Sequence, residues 1–408
     1  MKSPYFLIDE GLIEKNLQVL AHVRAQTGCK ILLAQKAFSC FDVYPLIARY
    51  LDGTTASGLF EARLGKEKFV RNSPSRVKGC PDRGGVVETH VFAPAFTDDD
   101  IQQIVKICDH IVFNSVAQLL KHYDICKKHN LSIGLRINPE FRTQTSDIYD
   151  PCAPLSRFGV TLADFKRHEK EIMARIDGLH FHTLCEQGFE PLRETVRAFE
   201  NKFGKYIAGL KWVNFGGGHH ITADGYDVAG LVNLVNDFKK RHNVQVYLEP
   251  GEAVVLNAGT LIATVLDIVH NQRDIAILDT SAACHNPDIL ETGHAYTPSI
   301  QSPPATRGGD KYLYRLSGNT CLAGDIIGDY SFNKPLQVGD TVTFTNMALY
   351  TIVKTNMFNG INLPSIYIKR LSSPPQRGGE DVKIRPTTKI ELLRGFGYGD
   401  YISRLGKT

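Results

Sequence analysis

The sequence predicts an α/β protein: a (β/α)8 TIM-like barrel followed by a mostly antiparallel β domain. Three observations carry that expectation. Eight short apolar stretches recur through about residue 255, with segments of helical periodicity between them. Continuously apolar strands separated by helices form parallel sheets, and eight in succession close into a barrel. Beyond residue 256 the texture changes to β-rich segments punctuated by Gly, Pro and Asn. A doubly wound open sheet is the alternative. It has fewer strands and a G-x-G-x-x-G turn after the first, which is absent here.

In chain order, Tyr5 to Ile8 read as a short strand ending at Asp9. Leu12, Ile13, Leu17, Leu20 and Val23 then recur at helical spacing. The predicted barrel strands are 31–37, 54–57, 88–93, 111–114, 132–138, 178–182, 211–215 and 244–249. Helical segments fall at 42–51, 58–69, 116–129, 161–174, 189–207 and 227–242. A further helix opens at the Thr97-Asp98-Asp99-Asp100 cap. The barrel is expected over 11–255 and the β domain over 256–408, with strands near 275–279, 312–316 and 341–345. Ser302-Pro303-Pro304 and Ser373-Pro374-Pro375 open two loops of similar form, without an architectural repeat.

At 408 residues, with 43% hydrophobic and 22% charged residues, the chain has the composition of a globular enzyme. A formal charge of +4 and no basic tract argue against nucleic acid or an anionic membrane as partner. Residues 1–10 lack the apolar core of a signal peptide, and no apolar run reaches spanning length. Nine scattered cysteines without a C-x-x-C pair argue against a disulfide framework or structural zinc site. A reducing cytoplasm is the expected location.

Active sites of such barrels lie at the C-terminal strand ends. Those ends carry Lys36, Ser57, Asn114, Arg136, His182, Gly216-Gly217-Gly218 and Glu249-Pro250-Gly251-Glu252. Each has a structural reading: a snorkelling lysine, a core histidine, a tight turn. Together they match an aldehyde cofactor with a phosphate tail. Lys36 supplies an amine for the carbonyl, Gly216 to Gly218 bare N–H groups for the phosphate, Glu249 a carboxylate for the pyridine nitrogen, and His182 a flat face.

The motifs Ala34-Gln35-Lys36-Ala37, Ser156-Arg157-Phe158-Gly159, His180-Phe181-His182, Asn214-Phe215-Gly216-Gly217-Gly218 and Glu249-Pro250-Gly251-Glu252 resemble those of the pyridoxal-phosphate decarboxylases of alanine-racemase-like fold. That group holds the ornithine, arginine and diaminopimelate decarboxylases. The likeness covers nearly the whole chain and extends to the carboxynorspermidine/carboxyspermidine branch. Gly318-Asn319-Thr320-Cys321 resembles the group's catalytic-cysteine loop, and Asn346-Met347-Ala348-Leu349-Tyr350 its phosphate-touching tyrosine. The resemblance implies pyridoxal 5'-phosphate as cofactor, carried by Lys36. It also implies a head-to-tail homodimer with Cys321 reaching the partner's site, and residues 1–10 joining the β domain.

Two positions depart from the group. Glu252 stands where relatives carry a phosphate-holding arginine, and Leu322 follows the cysteine in place of an aspartate. Both suggest a differently charged substrate pocket. By this reading a basic amino acid loses CO2, and Cys321 is the candidate acid that protonates Cα. A substrate with several ammonium groups needs local carboxylates. Glu252 and Asp288 are the first candidates, with Glu291 and Asp325 behind them. The insert 139–160, with Arg142, Asp150 and Arg157, is long enough to cover the site. Arg136 is expected to pair with neighbouring acids. Rival readings are a diaminopimelate decarboxylase or racemase of the same fold, a non-catalytic cofactor-binding regulator, and a Schiff-base aldolase.

Overall fold

The computed structural model describes residues 1–69, 87–144, 146–301, 312–371 and 388–406. The chain divides into two compact units. One is Glu14–Val254; the other joins Met1–Ile13 to Val255–Thr408.

The first β-strand of the chain is β1 (Tyr5–Asp9), which belongs to the second unit. The first unit is a closed barrel of eight parallel strands. They are β2 (Lys30–Ala34), β3 (Gly53–Ala56), β4 (Glu88–Phe92), β5 (His110–Phe113), β6 (Ser132–Arg136), β7 (Gly178–His180), β8 (Trp212–Asn214) and β9 (Gln245–Leu248). Closure comes from β9 pairing with β2, Lys30 opposite Tyr247 and Ile31 opposite Leu248. Side-chain caps start several of the intervening helices. Thr97 accepts from the Asp100 N–H, Ser115 from Gln118, Thr161 from Asp164 and Asp227 from Gly230.

Some expected boundaries move. Pro45 limits the 42–51 segment to a turn at Phe41–Val43 and a short helix Tyr44–Ile47. The helix expected over 161–174 breaks at His168 into Leu162–Arg167 and Glu169–Met173. Lys36 does not end its strand. It stands two residues past Ala34 on a tight turn in which the Ala37 N–H donates to the Ala34 carbonyl.

The barrel's interior is filled at the N-terminal strand ends by Trp212. Gly134 and Gly178 make room for its indole, since a Cβ at Gly178 would lie 2.1 Å from Trp212 Cδ2. Beside it Glu88 takes Lys30, His90 and the Tyr247 hydroxyl. Glu88, His90 and His110 have the spacing of metal ligands, but the imidazoles stack with centroids 3.9 Å apart and planes 9° apart. An imidazole binds a metal in its own plane, and parallel rings share none. The Lys30 ammonium already compensates Glu88. This is a packed floor, the end of a barrel where stability resides.

The second unit is built on a strand that sequence periodicity did not reveal, β10 (Gly259–Asn271). It pairs antiparallel with β1, with β11 (Arg273–Leu278) and, off the main path, with a strand at Thr341–Thr345. The sheet continues on one side through β12 (Tyr312–Ser317) and β13 (Ile326–Phe332). The strand Thr341–Thr345 is β14. On the other side of β1 follow β15 (Ser365–Leu371) and β16 (Thr388–Arg394). Two pairings, β1 with β15 and β11 with β12, are parallel and the rest antiparallel. Phe6, Leu261, Val265, Leu278, Leu316 and Phe344 lie in its core. The proline-rich stretches at 302–309 and 373–379 lie outside the described residues.

Candidate active site

The C-terminal strand ends of the barrel gather the expected groups. The turn bearing Lys36 is tied to the last strand's loop by the Ala34 N–H, which donates to the Pro250 carbonyl. Gly251 permits that approach, since a Cβ there would lie 2.7 Å from the Ala37 Cβ. Lys36 keeps solvent-accessible surface. The protein around it still lowers its pKa, first by desolvation and then through the Arg136 charge. A lowered pKa makes more of the amine nucleophilic at neutral pH.

Glu249 stands one residue past β9 and is 9% exposed. Asn214 Nδ2 donates to its Oε1 at 2.8 Å, and His180 Nε2 lies 3.3 Å from its Oε2. Burial alone would raise this carboxyl. The His180 contact, the Asn214 bond and nearby His182 reverse that and bring it to about 2. His180 is itself lowered, chiefly by burial, so an ionised carboxylate faces a neutral imidazole. Neither His180 nor Asn214 received a role from sequence. The signal was available: alternate residues of one strand share a face, so His180 and His182 point together.

His182 is also lowered well below its ordinary value, first by desolvation and then by Lys36 and Arg136. Its Nδ1 accepts the Gly217 N–H at 2.9 Å. Arg136 was expected to pair with an acid. Among the described residues it forms no ion pair within 4 Å. Its Nη2 donates to the His182 carbonyl at 2.8 Å, and its guanidinium lies over the rings of Phe92 (4.6 Å) and Phe158 (4.5 Å).

The glycine loop differs from expectation in one respect. The Gly216 N–H donates to Asn214 Oδ1 at 2.8 Å, so it and the Gly217 N–H are both committed within the protein. Glu252 is buried, with Oε2 3.1 Å from His220 Nε2. The insert 139–160 is stitched to the loop after β7 through Thr143 and Gln187, and Arg142 braces it by pairing with Asp147 and Asp150. Asn114 holds it from the barrel side, donating to the Arg157 carbonyl and accepting the Gly159 N–H. Ser57 donates its N–H to Glu61.

Within the β domain, Cys321 is exposed and its N–H donates to Asn359 Oδ1 at 2.8 Å. Tyr350 has a positive φ of 49°, uncommon for a bulky residue. Asp288 pairs with Lys354 at 2.7 Å, and Glu291 pairs with the same ammonium at 2.5 Å. Asp325 requires a correction. It is 1% exposed, and its carboxylate takes the Ser281 and Thr320 hydroxyls and the N–H groups of Ala282, Ala283 and Thr320. So saturated a carboxylate anchors its loop and leaves no lone pair for a substrate amine.

A buried ionised carboxylate, a neutral flat imidazole, a reactive amine and a glycine loop on one rim fit pyridoxal phosphate. The sequence model described as "Pyridoxal-dependent decarboxylase, C-terminal sheet domain" matches residues 19–348. The chain belongs to the pyridoxal-dependent decarboxylases.

This decarboxylase is 39% identical to a carboxynorspermidine/carboxyspermidine decarboxylase of Campylobacter jejuni, over 99% of this chain and 98% of the relative. It is 36% identical to a carboxyaminopropylagmatine decarboxylase of Synechocystis, over 100% and 96%. Among solved structures, carboxynorspermidine decarboxylase from Campylobacter jejuni complexed with norspermidine superposes with a TM-score of 0.81 at 38% identity, covering 99% and 100% of the two chains. Diaminopimelate decarboxylase from Helicobacter pylori, at 18% identity and a TM-score of 0.75, shares the fold. The expected barrel-plus-sheet architecture is the one these enzymes have. The decarboxylase is a pyridoxal-phosphate enzyme, and no helix among its described residues is long and apolar enough to cross a membrane.

Proposed function

We propose that this decarboxylase removes CO2 from carboxynorspermidine or carboxyspermidine, yielding norspermidine or spermidine. The observation that carries the reading is end-to-end likeness at 39% identity to an enzyme of that name. When bound, pyridoxal phosphate supplies an electron sink for the pair released as the carboxylate departs. Lys36 holds the cofactor's carbonyl carbon. His182, neutral and fixed in orientation, backs one ring face, and Glu249 keeps the ring nitrogen protonated. Tyr350 serves the phosphate with the glycine loop. Cys321 delivers the proton to Cα, from the partner subunit of a cytoplasmic homodimer. Asp288 receives a distal ammonium of the substrate, which takes the place of Lys354, while Glu252 is drawn to His220 instead.

A second substrate follows from the likeness to the Synechocystis enzyme, whose name specifies a guanidinium-ended chain. The test is CO2 release by purified protein from carboxynorspermidine, carboxyspermidine, carboxyaminopropylagmatine and diaminopimelate, side by side. The two carboxy-polyamines should be turned over best. Turnover confined to diaminopimelate would end the proposal. Borohydride reduction of the protein in the absence of substrate should abolish its near-ultraviolet imine band and leave a pyridoxyl group on Lys36, which separates it from an aldolase that binds no cofactor.

A further inference from the structure

The glycine loop after β8 has its anion-binding capacity displaced toward its far end. The N–H groups of Gly216 and Gly217 are spent on Asn214 and His182. Among the described residues no acceptor meets the N–H groups of Gly218 or His219. Gly218 has φ +82°, and a Cβ there would lie 1.9 Å from the Leu184 carbonyl oxygen, so the loop's path requires glycine. The two open N–H groups lead directly to His220.

His220 Nε2 is engaged by Glu252, and its Nδ1 has no hydrogen-bond partner among the described residues. Glu252 is 6% exposed, and its second oxygen, Oε1, is buried without a partner there. A buried carboxylate of this kind is costly unless a cation stands beside it. A phosphate monoester likewise calls for a charged donor beyond backbone N–H groups. The other cations of this rim have duties elsewhere. Lys36 is needed at the cofactor's carbonyl, and Arg136 is spent on the His182 carbonyl between Phe92 and Phe158.

We propose that His220, backed by Glu252, is the cationic ligand of the cofactor's phosphate and works with the open N–H groups of Gly218 and His219. Glu252 is then a positioning residue. This inference rests on the reading of the site as a pyridoxal-phosphate site. The electrostatics agree with it. Burial alone would lower His220, but the hydrogen bond and charge of Glu252, with Glu186 nearby, raise it above its ordinary value. Neighbouring His219 is pushed down to about 3 by burial and by His220, and so adds no charge. A neutral ion pair also avoids leaving a lone carboxylate beside a phosphate.

The test compares pyridoxal phosphate with pyridoxal, which lacks the phosphate, as ligands of cofactor-stripped protein, read by the absorbance of the Lys36 adduct. Wild type should prefer the phosphorylated form. His220→Asn should weaken it by roughly tenfold or more, the scale of one charge-assisted hydrogen bond, while leaving pyridoxal affinity unchanged. Glu252→Gln should cause a smaller loss that grows with pH, because His220 then deprotonates at lower pH. His220→Arg, which restores a fixed cation, should retain the preference. Wild-type affinity in His220→Asn, or equal loss of both ligands, would overturn the inference and leave the cofactor reading intact. A wild type that takes up neither ligand would overturn both.

Discussion

The backbone N–H of Gly217 donates to Nδ1 of His182 across 2.9 Å. This bond joins the loop after β8 to the residue two places beyond β7. It makes Nδ1 an acceptor, so a neutral ring carries its proton on Nε2. His182 is held in one orientation and presents a face rather than a charge. Gly217 itself has no room for a side chain, since a Cβ there would lie 2.1 Å from the Glu249 carbonyl oxygen.

Gly217→Ala should therefore force the backbone apart at two strand ends. The expected cost is about 1–3 kcal/mol, the range for overpacked interiors, measured by denaturant unfolding. Cofactor affinity should fall as well, because His182 loses its anchor.

If Glu249 has the role proposed for it at the ring nitrogen, Glu249→Gln should drop kcat by roughly a hundredfold or more, the scale of losing one electrostatic stabiliser. The pH dependence of stability follows from the same group. Its folded pKa of about 2 lies below its ordinary 4.5. The stability it adds is complete above about 4.5 and is lost as pH falls toward 2. The difference in Tm between wild type and Glu249→Gln should shrink through that window.

Cys321→Ala should lower kcat by a factor on the order of a hundred or more, as loss of a general acid does, with KM little changed. A variant that still turned over cleanly and fast would remove the thiol from the reaction.

Asp325→Asn and Asp288→Asn should separate. The first loses a buried carboxylate that takes five donor contacts, and should destabilise the protein by about 2–4 kcal/mol. The second lies at a partly exposed ion pair. It should leave Tm nearly unchanged and raise KM for a polyamine substrate, as read from initial rates.

Much of the fold was legible because burial imposes short apolar strands at regular intervals, each with a helix behind it. The strand β10 was missed because its second half alternates poorly and is largely exposed, from Leu266 onward. Two of its partners, β1 and β14, lie far from it in sequence. Arg136 was misread for a related reason. Sequence shows a charge near acids, but Phe92 from the end of β4 and Phe158 from the 139–160 insert occupy the faces of the guanidinium.

By itself the sequence determined the number and order of the barrel strands, and hence the rim on which Lys36, His182, Gly216 to Gly218 and Glu249 meet. Only the tertiary structure decided which of those groups remain available. It committed the Gly216 and Gly217 N–H groups to Asn214 and His182, saturated Asp325, and placed His220 against Glu252. The physical reason is that periodicity is a local property of the chain. A hydrogen-bond partner is fixed by distances between strands that the closed barrel alone brings together.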